Sequence, residues 1–180
     1  MKLTLTLSCA LAALATVAPG SAATAAATVP PGCWLGKGVH AGTFASGPVQ
    51  GRVSSGTIGL HLWVGKGGAD AVGLLTTGGI GNGSLSLGGS KLKLTVVMKG
   101  RFDVTGSATK LVVNGTDSWT GKATGSGQFA SVPVALKLPV KNAPLTVVAV
   151  SPGRVTFRYG KAPFVAVRVK KLPNPVGKLC

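Results

Sequence analysis

Glutamate is absent from this 180-residue chain, and the only acids are Asp70, Asp103 and Asp117. Acid–base catalysis by paired carboxylates needs two acids brought together with their pKa values pushed apart. Three aspartates spread along the chain offer no such pair by spacing. Asp117 moreover follows the turn signal Asn114-Gly115, where its carboxylate can bond its own backbone. Histidine is almost as scarce. His40 and His61 stand far apart with no cysteine beside either, which falls short of the three or four convergent ligands of a metal site. No G-x-S-x-G elbow occurs, and "VGKGGAD" lacks the spacing and following helix of a phosphate-binding loop. The expectation is a chain with no enzymatic machinery, cofactor or metal. A hydrolase using His61 is the catalytic alternative.

Aromatic side chains make up 5% of the residues. Single-stranded nucleic acid is bound on aromatic platforms set in a basic groove. The basic stretches here offer chiefly Phe164, with Trp63, so specific nucleic-acid binding is not expected.

Cysteine occurs three times, at Cys9, Cys33 and Cys180. Residues 1–25 read as a cleaved secretory signal peptide. Lys2 supplies the positive start, residues 3–17 an apolar core, and Ala23-Thr24-Ala25 a small-residue cleavage pattern. That core is shorter than the roughly 20 residues of a membrane-spanning helix, and no transmembrane segment is expected in the mature chain. A lipid-anchored Cys9 is a competing reading, weakened by the poor lipidation box around it. Cleavage leaves Cys33 and Cys180, which in an exported protein read as a disulfide joining the two ends; two free thiols are the alternative. The expected layout is a leader at 1–25, a short linker at 26–32 and one domain at 33–180, secreted or held at the cell surface or in the periplasm.

After Pro31 no window supports a helix, because glycine, 28 residues in all, interrupts nearly every one long enough for three turns. Period-two alternation takes its place. Ile58, Leu60, Leu62 and Val64 oppose Thr57, Gly59, His61 and Trp63. Leu92, Leu94, Val96 and Met98 oppose Lys91, Lys93, Lys99 and Arg101. Val155, Phe157 and Tyr159 oppose Arg154, Thr156 and Arg158, while Val165, Val167 and Val169 oppose Phe164, Ala166, Arg168 and Lys170. Turn signals fall at Gly67-Gly68, Gly78-Gly79, Asn82-Gly83, Gly88-Gly89, Asn114-Gly115 and Pro152-Gly153. Asn82 and Asn114 also fit the N-glycosylation pattern. Pro133 and Pro139 share parity, so their missing donors fall on one side, as in a strand with one edge unpaired. The fold expected is all-β, an antiparallel meander of about nine to eleven strands forming a sandwich or partly closed barrel.

Lysine and arginine number 19, for a formal charge of +16. Lys91, Lys93, Lys99, Arg101, Arg154, Arg158, Arg168 and Lys170 are the anion-binding candidates, joined by Lys137 and Lys141 on a further strand. They are either the wet side of ordinary strands or, gathered on one sheet, a surface for anionic polysaccharide, envelope polymer or anionic lipid. A third reading is a carrier with an apolar ligand inside a barrel or half-barrel.

Overall fold

A computed structural model describes residues 27–125 and 131–180. The proposed leader at 1–25 and Cys9 lie outside the described residues. Eight strands follow one another as an antiparallel meander: β1 (Gly32–Ser46), β2 (Val49–Val64), β3 (Ala71–Leu87), β4 (Ser90–Gly106), β5 (Leu111–Thr124), β6 (Val132–Ser151), β7 (Arg154–Tyr159) and β8 (Ala162–Val169). β8 returns to pair with β1, so the sheet closes into a ring, with eight strands in place of the nine to eleven expected.

The closure is unequal along the ring's axis. β7 pairs only residues 145–151 of β6, and β8 pairs only residues 33–37 of β1. One end is therefore ringed by eight strands. At the other, β1 through β6 run on as a curved sheet whose two edges are the end of β1 and the start of β6. Pro133 and Pro139 both sit in that single-neighbour part of β6, opposite Lys122 and Thr116 of β5. Their missing N–H groups cost a ladder least at an edge.

The alternation works as the pattern of apolar residues demands. Ile58, Leu60, Leu62 and Val64 point inward and are buried, as are Leu92, Leu94, Val96, Phe102 and Val104 on β4, and Val155 and Phe157 on β7. The closed end holds one core, with Trp34, Leu60, Leu62, Leu75, Phe102, Phe157 and Phe164 among its members. Val29 lies across that end, its N–H donating to the Ala108 carbonyl at 2.9 Å. The open end holds a second core around Phe44, Leu94, Val96, Trp119 and Val134.

Three expected turns lie inside strands instead. Gly78-Gly79 and Asn82-Gly83 are interior to β3, and Asn114-Gly115 is interior to β5. None of those glycines has positive φ; such backbone occurs at Gly88, Gly89 and Gly153, where Gly88-Gly89 and Pro152-Gly153 do turn. Inside β3, the neighbouring Gly81 serves space rather than dihedral freedom. A Cβ added at Gly81 would come within 2.6 Å of the Phe44 ring. Asn114 stands at a bulge facing β6, and its Oδ1 accepts from the N–H of Asn142 at 2.8 Å. Asn142 itself takes the left-handed conformation, φ 52°.

On β8 the valines are not the buried row. Phe164 and Ala166 face the core, and Val165 and Val167 are exposed. Phe164 stacks on Phe157, with ring centroids 5.8 Å apart, and it fills space that only glycine leaves at Gly36.

Candidate functional site

Lys91, Lys93, Lys99 and Arg101 all point outward and are exposed, because their neighbours of opposite parity fill the interior. The register then adds to them. Lys99 lies beside Ser118 of β5, and Ser118 beside Lys137 of β6, so the two lysines flank one serine across three strands. Adjacent strands are about 4.8 Å apart, which spaces that pair by roughly 10 Å. Lys122, also exposed, pairs with Thr95 between Lys93 and Val97. A positive field covers the outer face of β4, β5 and β6, with Asp103 the one acid pointing outward there.

The remaining candidates sit elsewhere. Arg154 and Arg158 face outward on β7, at the closed end. Arg168 has inward parity, opposite Trp34, and reaches past the rim to donate to the Pro31 carbonyl at 3.0 Å. Lys170 lies beyond the end of β8. Of the eight candidates, four share one face, two adjoin it at a lower level, and Arg168 and Lys170 do not join it.

His61 points outward too, paired with Leu35 and Leu74. Those two leucines belong to a patch of Cys33, Leu35, Trp63, Leu74, Leu172 and Val176 outside the ring. The C-terminal tail lies over this patch, ending in a short 3₁₀ turn, Val176–Leu179. The disulfide Cys33–Cys180 fastens it there, with Cα atoms 6.0 Å apart. His61 Nδ1 is buried without a hydrogen-bond partner. It occupies the opposite side of the sheet from Asp117, so the two do not form one site.

Between the two cores the interior opens into a cavity of about 220 Å3. Ile58, Thr77, Met98, Phe102 and Asp117 line it from β2 to β5. His40 of β1 and the turn from Tyr159 to Ala162 frame its mouth. The cavity exists here because β7 and β8 stop at this height while β1 to β6 continue. Asp117 is not in a turn. It shares inward parity with Val113 and Trp119 on β5. The Trp119 Nε1–H donates to its Oδ2 at 3.0 Å, and Oδ1 is buried with no hydrogen-bond partner. Tyr159 enters from β7, its ring 5.8 Å from that of Phe102. Burial raises its hydroxyl pKa above the ordinary 10.0, and the Asp117 carboxylate pushes the same way, so it holds its proton at neutral pH.

No protein-family model matches this chain, and no curated protein or solved structure does so either. Among the described residues, no group of three or more histidine, cysteine or acidic side chains is placed to hold a metal ion. No helix among them is long and apolar enough to cross a membrane. The strand β4 turns lysines outward and leucines inward, the reverse of a lipid-facing strand.

Proposed function

We propose that this protein is an exported, non-catalytic binding module that engages anionic envelope or extracellular polymers through the outer face of β4 to β6. The observation that carries the reading is the register row Lys99–Ser118–Lys137, with Lys91, Lys93, Arg101 and Lys122 around it. Cations set at regular strand spacing match the repeated charges of an acidic polysaccharide or a phosphate-rich polymer. The attraction needs no shaped pocket and weakens with salt. The cavity volume favours this surface over the lipid-carrier reading. About 220 Å3 is below the roughly 300–1,000 Å3 of sites that enclose drug-sized ligands.

The test separates a surface from mere net charge. The triple variant Lys93→Glu, Lys99→Glu, Lys137→Glu is compared with Lys37→Glu, Arg52→Glu, Lys66→Glu on a dextran sulfate column. Both sets are exposed and change the total charge equally, but the second lies on β1, β2 and the loop after β2. The first triple should elute at clearly lower salt than the second. Equal elution would remove the proposal.

A further inference from the structure

The geometry points to the cavity between the two cores as a binding site for a small organic cation with N–H donors on a flat apolar body, an amidinium or an aryl-methylammonium, held by Asp117.

The acceptor comes first. An ionised carboxylate only accepts hydrogen bonds, and Trp119 satisfies one of its two oxygens while fixing its direction. The other, Oδ1, is buried and has no donor. Leaving a buried acceptor unmet is unfavourable, and more so for a charged group. A ligand atom placed here must therefore bring a donor, and a charged donor forms the stronger bond. An anion meets the reverse situation, facing a fixed carboxylate in a confined space.

The walls select the body. Ile58, Met98 and Phe102 are apolar, and the Phe102 and Tyr159 rings stand 5.8 Å apart. Ring faces attract cations, and more so where water is excluded. The volume, about 220 Å3, suits a molecule built on a single ring. Asp117 acts on Tyr159 within this site, adding to burial in raising its pKa. Lys161 and His40 border the mouth, and Lys161 is exposed to solvent there. The site is independent of the outer cationic face, so either proposal can fail alone.

The chain contains a single tyrosine, which makes Tyr159 a reporter inside the site. Benzamidine, benzamide and benzoate have nearly one shape and carry positive, zero and negative charge. Calorimetric titration of the wild-type protein should show saturable benzamidine binding at least tenfold tighter than that of the other two. Asp117→Asn, which keeps an acceptor for Trp119, should erase that preference. Saturating benzamidine should also lower the Tyr159 pKa, read from phenolate absorbance, because a cation beside the ring favours phenolate. Equal binding of the three compounds, no saturable binding, a preference surviving in Asp117→Asn, or an upward Tyr159 shift would each overturn the assignment. Should Asp117→Asn fail to fold, the three-compound comparison and the Tyr159 shift decide the matter in the wild type.

Discussion

The two ends of the ring share six strands and are stabilised differently. At the closed end, eight strands surround Trp34, Phe102 and Phe157, each at most 2% exposed, and Val29 lies across the opening. At the open end, six strands curve around Phe44, Leu85 and Val134, each 8% exposed. The difference comes from strand length. β7 and β8 are 6 and 8 residues long, against 14 to 20 for the others. A short hairpin seals one end of a ring and leaves a slot at the other, and the cavity lies where the two regimes meet. Stability belongs to the closed end, and access to the interior belongs to the step.

The sharpest way to break this comparison is to truncate the same residue type in each core. Phe157→Ala should cost about 3–5 kcal/mol in denaturant unfolding, because its surroundings cannot collapse into the gap. Phe44→Ala should cost less, at or below the lower end of that range, since its core already meets solvent. The opposite order would mean the closed end is not the more tightly held. Opening the disulfide by Cys180→Ser should cost about 2–4 kcal/mol, with the bridge joining residues 147 apart. Trp63 should then become more exposed to a fluorescence quencher as the tail loosens, because Leu172 and Val176 cover its patch. Unchanged Trp63 quenching would show that packing alone holds the tail.

Smaller effects are expected at the step itself. Asn142→Ala should destabilise by about 1 kcal/mol, since alanine resists the left-handed backbone that Asn142 adopts, while Asn142→Gly should not. Equal losses in the two variants would place the cost in a side-chain contact instead. The smallest effect concerns pH. Folded Tyr159 holds its proton more tightly than the unfolded chain, whose tyrosine titrates near 10.0. Its contribution to stability is full below that value and is lost as pH rises through the higher folded pKa. Asp117→Asn should shrink that loss without abolishing it, because burial is the larger cause. A Tyr159 pKa at or below 10.0 would contradict the buried position of the ring.

Much of the architecture was legible because strand parity is a local property. On β2, β4 and β7 the apolar row told which side faces in, and the burial of Leu60, Leu94 and Phe157 follows it. β8 resisted because both of its rows are apolar enough to bury, and the choice rests on Phe164 fitting against Phe157 and over Gly36. Asn82-Gly83 and Asn114-Gly115 carry turn chemistry, yet long pairing on both sides kept them in strands. The turn signal at Asn114-Gly115 masks the inward position of Asp117. Its parity with Val113 and Trp119 was the signal that could have found it. The cationic row on β4 was visible directly, whereas the bridging positions of Lys122 and Lys137 depended on register.

Residue order alone determined the all-β class and the wet and dry faces of β2, β4 and β7, because alternation involves no distant geometry. The Cys33–Cys180 bridge took the tertiary structure to fix, since three cysteines in the sequence allow more than one pairing. Which strands run the full height of the ring was decided only by its closure. Whether cations on separate strands become neighbours was decided there too, as was the enclosure of one aspartate. Each of these depends on how far partners slide past one another, and no short window of sequence encodes that offset.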